Sequence, residues 1–224
     1  MWCTFFLLAE DITSDANYQL QKDVTIDLNG KSMAAPLIYI FSTATIKNGT
    51  INGSVYARKN CDITFDNVKF SGAISASHLQ IQAGGTNIYA KDCLFSPTSV
   101  SGSARPVEGE YGTSGNIKFE NCEFKNSPYK GQIYFNSLSA TATLDFTNCN
   151  FNNKTPNIMF AATCPLTNLT MSGTTKLGSV TLETNRAKDA VTDADLAYLR
   201  ELIANNSFSS VRLFYAGGSS EYIR

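Results

Sequence analysis

The feature that most constrains the fold of this chain is a short phrase that it repeats. Residues 116–124 read NIKFENCEF and residues 143–151 read TLDFTNCNF, so Asn, Cys and Phe recur at the same offsets. The general pattern is apolar, x, apolar, x, Asn, x, x, apolar. A unit that recurs about every 20 to 50 residues is typical of proteins built from stacked structural units.

The pattern recurs along most of the chain, and we call its Asn position the corner. Corners fall at intervals of 18, 19, 25, 29, 27 and 25 residues. In the first copy Ile26 and Leu28 take the apolar positions before the corner, and in the last copy Leu177 comes one place later than expected. The corner positions are Gly30, Asn48, Asn67, Asp92, Asn121, Asn148 and Gly173.

Each copy predicts a strand, a one-residue corner and a second strand. Alternation of apolar and other residues before the corner indicates a strand with one buried face. The apolar residue three places after the corner breaks that alternation, so the chain must bend at the corner itself. Only Asn, Asp or Gly occupies this position, and these residues most readily adopt the left-handed backbone conformation.

Units stacked in parallel bury their equivalent side chains in columns. The expected columns are Phe70, Phe95, Phe124 and Phe151, and Ile63, Ile88, Ile117 and Leu144. We expect the corner amides to bond to one another along the stack. Cys93, Cys122 and Cys149 directly follow a corner and are expected to be small, buried core residues.

The residues that carry these columns resemble the right-handed parallel β-helix of pectin-lyase-like proteins. Residues 23–33, DVTIDLNGKSM, look like the opening coil of many bacterial and phage members, and the N-C-x-F phrases resemble their asparagine ladder. The resemblance covers roughly residues 5–183. It implies an all-β fold, a right-handed single-stranded parallel β-helix with a small C-terminal α/β cap. The same scaffold carries lyases, hydrolases, phage tailspikes, adhesins and inert shafts, so it indicates a fold more than a function.

We expect two parts in the chain, residues 1–184 as the β-helix with an N-terminal cap and residues 185–224 as a helix-plus-strand unit. In the second part Thr192 and Asp195 have the spacing of a capping box. A strand over residues 211–215, a Gly-Gly turn and a short tail follow. This unit either caps the stack or serves in attachment. Residues 96–115 show no alternation and are predicted to be a loop that leaves the stack.

The composition argues against several classes of partner and cofactor. The net charge is −1 and the pI is about 5.8, so we expect no nucleic-acid partner. No stretch is long enough to predict membrane insertion, and the apolar patch over residues 2–9 lacks the flanks of a signal peptide, so we interpret it as a first strand. None of the six cysteines belongs to a C-x-x-C pair, and we expect neither a metal site nor a cofactor.

The candidate residues for catalysis lie in the predicted loop. Glu108 and Glu110, beside Arg105 and Tyr111, come nearest to the carboxylate pair of a glycoside hydrolase. Alternating carboxylates in a Gly-rich segment more often belong to a solvated loop, so we assign no catalytic residue. His78 has no nucleophile in the same phrase and is expected at the surface or in a turn.

A second set of candidates lies on predicted strands, and these residues are candidates for ligand binding. If Val55, Leu79, Ile81, Ile133 and Phe135 point inward, their neighbours point outward. Amides and tyrosines on a rigid face suit sugars, which need hydrogen bonds and an aromatic platform; an ordinary exposed sheet face is the alternative. The predicted ligand-binding residues are Tyr56, Arg58, Gln80, Gln82, Tyr134 and Asn136, with Gln132 as a further outward position.

These observations leave three hypotheses for function. The first, which we favour, is a non-enzymatic structural or surface-recognition module of a phage virion, such as a spike, fibre or head decoration, that binds cell-surface glycans. It implies a homotrimer with other virion proteins as partners. The second is a polysaccharide lyase or glycoside hydrolase of the same fold. The third is a bacterial surface adhesin, at the cell surface or secreted.

Overall fold

The structure, a computed structural model, describes residues 4–74, 77–82, 84–101, 105–125, 133–139, 141–151, 157–160, 166–173, 176–184, 186–205 and 208–224. Most of these residues are in strands. Within the described residues there is one α-helix, α1 (Asp193–Ala204), and there are short 3-10 turns at Leu166–Asn168 and Lys188–Ala190. The predicted all-β class is therefore confirmed.

The strands follow one another in chain order as β1 (Thr4–Leu7), β2 (Ile12–Thr13), β3 (Tyr18–Leu20), β4 (Val24–Asp27), β5 (Ser32–Ile40), β6 (Ala44–Ala57), β7 (Asp62–Ser71), β8 (Ala73–Ile74), β9 (Ser77–Ile81), β10 (Asn87–Lys91), β11 (Leu94–Phe95), β12 (Ser99–Val100), β13 (Arg105–Thr113), β14 (Asn116–Glu120), β15 (Glu123–Phe124), β16 (Ile133–Leu138), β17 (Thr143–Thr147), β18 (Asn150–Phe151), β19 (Asn157–Phe160), β20 (Leu169–Ser172), β21 (Lys176–Thr184), β22 (Phe208–Phe214) and β23 (Ser220–Ile223).

All of these strands except β8 and β12 belong to one curved sheet, whose pairs are parallel apart from the last, β22 with β23. The pairs form three series. The first series is β1, β4, β6, β7, β10, β14, β17 and β20. The second series is β2, β5, β6, β7, β11, β15, β18 and β21. The third series is β3, β5, β6, β9, β13, β16, β19, β21 and β22.

The curvature of the sheet is visible in β6, which takes part in all three series. Its residues 44–47 pair with β4, while residues 50–52 and 54–57 pair with two successive parts of β5. The backbone bends between these parts at Asn48 and Gly53, where φ is 59° and 137°. A Cβ atom on Gly53 would lie 2.0 Å from the Ala35 carbonyl oxygen, so only glycine fits at the second bend.

The predicted corners are confirmed. All seven corner residues have φ between 53° and 76°, the left-handed region that Asn, Asp and Gly tolerate best. Their side chains also bond to one another, because Asn121 Nδ2 donates to Asp92 Oδ1 (2.8 Å) and Asn148 Nδ2 donates to Asn121 Oδ1 (3.2 Å). At Gly173 a Cβ atom would lie 2.1 Å from the Asn148 side-chain oxygen, which explains glycine at the end of this ladder.

The predicted phenylalanine column is confirmed as well. The rings of Phe70, Phe95, Phe124 and Phe151 stack in order, with centroids 4.5, 5.0 and 4.8 Å apart. Phe119 and Phe146 stack on each other at 5.3 Å and meet this column edge-on. Six large rings in offset-stacked and edge-on contact form the centre of the buried core.

The aliphatic column is also in register, from Ile63 through Ile88 and Ile117 to Leu144. The delayed residue of the last copy, Leu177, pairs with Phe151 at the backbone level. The one-residue delay after the last corner therefore does not shift the register of the second series.

The strand pairing predicted for the first copy of the pattern needs correction. Val24 and Ile26, and not Ile26 and Leu28, pair with Ala44 and Ile46. The reason is that this copy has a wider corner, in which Asn29 as well as the glycine after it adopts positive φ. Leu28 is nevertheless fully buried.

The cysteines that follow the corners are buried, as predicted. Cys93, Cys122 and Cys149 are at most 2% exposed, and their thiols donate to main-chain oxygens, for example Cys122 to Ala90 O at 3.3 Å. The neighbouring thiol of Cys122 and burial both raise the pKa of Cys93. These thiols act as small packing groups of the core.

The predicted loop over residues 96–115 is wrong for its second half. Residues 105–113 form β13, which pairs in parallel with both β9 and β16 in the third series. Gly109 and Gly112 interrupt the alternation of apolar residues, which is why the strand was not visible as a pattern. Gly109 is required there, because a Cβ atom would lie 2.1 Å from the Phe135 ring.

The predicted position of His78 is also wrong. This residue lies on β9, is fully buried, and packs 6.3 Å from the Phe70 ring. Neither ring nitrogen has a hydrogen-bond partner among the described residues. Burial lowers the pKa of His78 to about 4, and the nearby main chain of Gly72 and Ser71 offsets part of that effect.

The N-terminal residues confirm a first strand, β1, which pairs with β4. Its apolar side chains do not enter the core: Phe5, Phe6 and Leu7 are 58%, 53% and 59% exposed. The second edge of β1 has no partner strand within the described part of the chain. The role of this region as a cap stays a prediction.

The C-terminal residues contain the predicted helix, and the capping box of Thr192 and Asp195 is confirmed at its start. Arg186 forms an ion pair of 3.0 Å with the Asp195 carboxylate, and both side chains are largely buried. The Tyr198 hydroxyl donates to the Leu169 carbonyl and connects α1 to β20.

The predicted C-terminal strand and tail need correction. The strand β22 begins earlier than residue 211 and pairs in parallel with β21, while the predicted tail is a strand, β23. The alternation of Tyr222 and Ile223 is too short to indicate a strand in the sequence. The turn between β22 and β23 has positive φ at Gly217 and Gly218, as expected. A cap or attachment role for residues 185–224 stays a prediction.

Candidate functional site

The candidate site is the outward side of the third series of strands, which we call the third-series face. Val55, Leu79, Ile81, Ile133 and Phe135 are all fully buried, so the predicted inward positions are confirmed. Because side chains alternate along a strand, the residues between them point to the other side. The side chains of this face that the structure describes include Tyr39, Phe41, Tyr56, Arg58, Gln80, Gln82, Arg105, Glu108, Glu110, Tyr134, Arg212, Phe214 and Tyr222.

A continuous backbone register holds these residues in rows across the strands. Tyr39 is paired with Tyr56, Tyr56 with Gln80, Gln80 with Glu108, and Glu108 with Tyr134. Neighbouring strands lie about 4.8 Å apart, so side chains in one row are close enough to contact one another. The rigid ladder, and not a flexible loop, therefore positions the side chains of the face.

An aromatic cluster surrounds Arg58 at one end of the face. The Arg58 guanidinium carbon lies 5.3 Å from the Phe41 ring centroid, 5.2 Å from Tyr56 and 6.0 Å from Tyr39. The Tyr39 and Tyr56 rings meet edge-on at 5.7 Å. Arg58 forms no ion pair with a carboxylate of the described residues. Its guanidinium therefore lies within cation–π range of three aromatic rings.

Glu110 connects this cluster to the middle of the face. Its Oε1 accepts a hydrogen bond from the Tyr56 hydroxyl and a longer one, 3.4 Å, from Gln80 Nε2. Burial and the bond to Glu110 raise the pKa of Tyr56 to about 12, so this hydroxyl stays protonated at neutral pH. Gln82 lies beside Glu110 in the next row, and its Oε1 has no hydrogen-bond partner among the described residues.

Glu108 and Arg105 form the next part of the face along β13. The buried Ser77 hydroxyl donates to Glu108 Oε2 at 2.9 Å, and Glu108 is paired with Tyr134 in the backbone register. The Arg105 guanidinium carbon lies 4.0 Å from the Tyr134 ring centroid, within the range of a cation–π contact.

The third-series face continues to the C-terminal strands. The register runs from Tyr134 through the backbone of β19 and β21 to Phe214. There the Arg212 guanidinium carbon lies 4.4 Å from the Phe214 ring and 5.6 Å from the Tyr222 ring. Arg212 Nη2 and Nε donate to Ser220 Oγ at 2.8 and 3.0 Å, which fixes the orientation of the guanidinium.

The structure brings together the two sets of residues that the sequence kept apart. Glu108, Glu110 and Arg105, predicted on a loop, stand on the same face as the predicted binding residues Tyr56 and Arg58. Gln80, Gln82 and Tyr134 also lie there. Tyr111 and Asn136 are placed on β13 and β16 by their backbones, and Gln132 lies outside the described residues.

Several residues of the face are absent from the set predicted from the sequence. Tyr39 and Phe41 follow the alternation of LIYIF in residues 37–41, so the same parity argument could have found them. Arg212, Phe214 and Tyr222 could not be found, because their contribution depends on β22 joining the third series.

The first series of strands offers a contrast. Its outward charges neutralise one another, since Lys47 lies 3.4 Å from Asp27 and Lys118 lies 3.1 Å from Glu120. Among the residues that the structure describes, no group of three or more His, Cys, Asp or Glu side chains could hold a metal ion. No helix within the described ranges is long and apolar enough to cross a membrane.

Comparisons with known proteins found no similar family: no protein-family model, curated protein or solved structure matches this chain. The chemistry of the third-series face must therefore be argued from its own geometry. Rings, guanidinium groups and carboxylates on one rigid surface can stack on a sugar, bind an anion and accept hydroxyl protons.

Proposed function

We propose that this chain is a right-handed parallel β-helix, in which each winding contributes one strand to each of the three series. The support is the spacing of paired strands. Partners in the first series lie 20, 19, 25, 29, 27 and 25 residues apart, from Val24 and Ala44 through to Leu144 and Leu169. Such intervals suit a winding of three short strands and their connections, and parallel crossovers are right-handed in most proteins.

We also propose that the third-series face is a non-enzymatic glycan-recognition surface. The observation that carries this proposal is the cluster at Arg58, a guanidinium with three aromatic rings within 6.0 Å of its central carbon and no ion pair among the described residues. Sugars present apolar C–H faces to aromatic rings and hydroxyl groups to amides and carboxylates. Of these rings Phe41 is 42% exposed, so its surface is open to a ligand.

The test of this proposal is binding to an immobilised glycan array, with Phe41→Ala as the variant. Removing the ring is expected to weaken glycan binding about tenfold, because an aromatic contact contributes roughly 0.5–1.5 kcal/mol beyond its buried area. The matched control is Phe5→Ala, which removes a ring that is 58% exposed from β1 in the first series. The proposal is wrong if no glycan is retained, or if both variants bind like the original chain.

A polysaccharide-cleaving enzyme is the second candidate, and one observation favours it. Glu108 and Glu110 lie two residues apart on the outward side of β13, so two carboxylates face the same surface. Glycoside hydrolysis needs such a pair at a suitable separation. Release of new reducing ends from polysaccharides, abolished by Glu108→Gln and by Glu110→Gln, would establish this activity. Our first proposal expects glycan binding without release.

The biological setting is a proposal of the same kind. We propose a virion component that acts as a homotrimer with other virion proteins, and a bacterial surface adhesin is the alternative. Light scattering on the purified chain tests the trimer directly, and a mass corresponding to one chain at high concentration would contradict it. Immunogold labelling of phage particles and of bacterial surfaces would distinguish the two settings.

A further inference from the structure

The apolar core of the sheet is open at its N-terminal end. Phe6 on β1 is paired with Ile26, and this inward row continues in register through the first series to Met171 on β20. Met171 at the far end of the row is 6% exposed, whereas Phe6 is 53% exposed. Ile12 and Leu20, which begin the other two series, are also only partly buried. The core is therefore covered at one end and open at the other.

The C-terminal end is closed by α1 and by β23. The Tyr198 hydroxyl of α1 donates to the Leu169 carbonyl, so the helix packs against the last strand of the first series. Leu199 and Leu202 of α1 are buried and belong to the same core. In the third series β23 runs antiparallel to β22 and ends the parallel order. A second copy of the chain therefore offers its own N-terminal end, and not its C-terminal end, as a partner for the open core.

The outer edge of β1 carries backbone groups that can pair with another strand. The Leu8 N–H donates to the Asp27 carbonyl at 3.0 Å, on the side of β4. Backbone groups alternate between the two sides of a strand, so the N–H and C=O groups of Phe5 and Leu7 point to the outer edge. No strand among the described residues pairs with this edge. The Phe5 and Leu7 side chains are 58% and 59% exposed, and an apolar open edge of this kind is a template for a further strand.

We infer that β1 pairs with β1 of a second copy in antiparallel orientation, about a two-fold axis that passes beside Phe6. In this register Phe5 lies opposite Leu7 of the second copy, and each of the two symmetry-related pairs exchanges both of its N–H···O bonds. The two Phe6 rings lie on the inward side, meet across the axis and cover the open core of both copies. A two-fold contact is self-complementary, so the assembly closes and does not grow into a fibre.

The two-fold axis also brings opposite charges together. It reverses β1, so in the proposed winding the residues after β1 face the corner before β4 of the second copy. Glu10 follows β1 and Lys22 precedes β4, both are exposed, and neither forms an ion pair within the described residues. The nearby carboxylates of Asp11 and Asp23 accept hydrogen bonds within their own copy. Glu10 of each copy therefore lies near Lys22 of the other, which favours this orientation.

The contact at the N-terminal end is small. Interfaces of this size class are weak, so we expect the pair to dissociate at about 50 µM. At concentrations well below this value the copies are separate, and a substitution such as Phe5→Ala acts on each copy alone. The contact uses the end of the stack and leaves its sides free, so two of the proposed trimers can also pair end to end.

The experiment is sedimentation equilibrium of the original chain and of Leu7→Pro, from about 5 to about 500 µM at low ionic strength. The mass of the original chain should double as the concentration rises. Leu7→Pro removes an N–H group that points to the outer edge, where an edge strand tolerates proline, so β1 should remain on β4 while the doubling is lost. The matched control is Tyr222→Ser, which removes a side chain that is 60% exposed on β23 and should double in mass like the original chain. Thermal unfolding of each variant verifies that the fold is kept.

Charge reversal at the two exposed residues tests the orientation of the pair. Lys22→Glu and Glu10→Lys should each weaken the association about tenfold, because like charges then face each other at both symmetry-related contacts. The double variant that carries both substitutions should associate like the original chain, since the opposite charges are restored.

The inference is overturned if the mass of the original chain never exceeds the mass of Leu7→Pro, or if the double charge reversal does not restore association. The proposed homotrimer is tested separately by the mass at low concentration. A mass of one chain there would contradict the trimer, and a doubling from one chain to two would still support the end-to-end pair.

Discussion

The ring of Phe95 stacks on the ring of Phe70 with their centroids 4.5 Å apart and their planes 4° from parallel. The two residues are 25 positions apart in the chain and are paired in the backbone register of β11 and β7. Their contact results from parallel register, because a shift by one residue would turn one ring away from the core. The stack thus links the repeated sequence phrase to the stability of the sheet.

The stack predicts a large loss of stability for Phe95→Ala. Phe95 is fully buried and also stacks on Phe124 at 5.0 Å, so truncation leaves a cavity between two rings. The free energy of unfolding is expected to fall by about 3–5 kcal/mol in urea denaturation.

Phe5→Ala is the control for this substitution, because the same atoms are removed from a side chain that is 58% exposed. It should change the free energy of unfolding by less than about 0.5 kcal/mol. Similar losses for Phe5→Ala and Phe95→Ala would show that the stacked rings do not hold the sheet together.

The left-handed corner predicts different effects for two substitutions of Asn121. Its φ is 53°, which alanine adopts only at a cost of about 1–2 kcal/mol, whereas glycine adopts it freely. Both substitutions lose the bond to Asp92 and the bond from Asn148. Asn121→Ala should therefore lower the free energy of unfolding by about 1 kcal/mol more than Asn121→Gly. Equal losses in chemical denaturation would mean that the ladder alone, and not the backbone, selects Asn here.

Much of this fold could be predicted from the sequence, because it depends on local rules that repeat. The residue type at a corner, such as Asn67, indicates a left-handed backbone. The alternation before the corner indicates which side chains are buried. Each copy of the phrase supports the others. The rule fails at Gly30, where two successive residues, Asn29 and Gly30, form the corner and displace the pairing by two residues.

The candidate site could be predicted only in part. The outward parity of Tyr56 and Gln80 follows from alternation, but β13 carries Gly109 and Gly112 where a strand pattern needs side chains. Gly109 is chosen by a contact with Phe135 from the next strand of the series, and no local pattern reports such a contact. His78 was misplaced for a related reason, since a lone histidine between Ser77 and Leu79 gives no sign of being covered by distant strands.

The buried thiols predict a protein that resists modification until it unfolds. Burial raises the pKa of Cys61, and the Cys149 thiol together with burial raises the pKa of Cys122, so little thiolate forms at pH 8. Cys3 and Cys164 lie outside the described residues and are replaced by Ser for this experiment. The four remaining thiols are all buried, and their labelling is measured. A thiol-reactive chromogenic disulfide should label none of them in the native protein and all of them in guanidinium chloride. Labelling that is faster than global unfolding would contradict this prediction.

The burial of His78 leads us to predict that the free energy of unfolding decreases in mild acid. The pKa of His78 is lowered to about 4 in the folded chain by burial, against 6.5 for an unhindered histidine, so the unfolded chain binds a proton that the folded chain excludes. The stabilisation is complete above pH 6.5 and is lost as the pH falls towards 4. The gap between these two pKa values corresponds to about 3 kcal/mol.

The measurement is the free energy of unfolding of the original chain and of His78→Leu between pH 7 and pH 4. Carboxylates titrate in both proteins, so the difference between the two curves isolates the histidine. The original chain should lose about 3 kcal/mol more than His78→Leu over this interval, because leucine fills the same space and binds no proton. Parallel curves would contradict the prediction, because they would show that the fold does not exclude a proton from the imidazole.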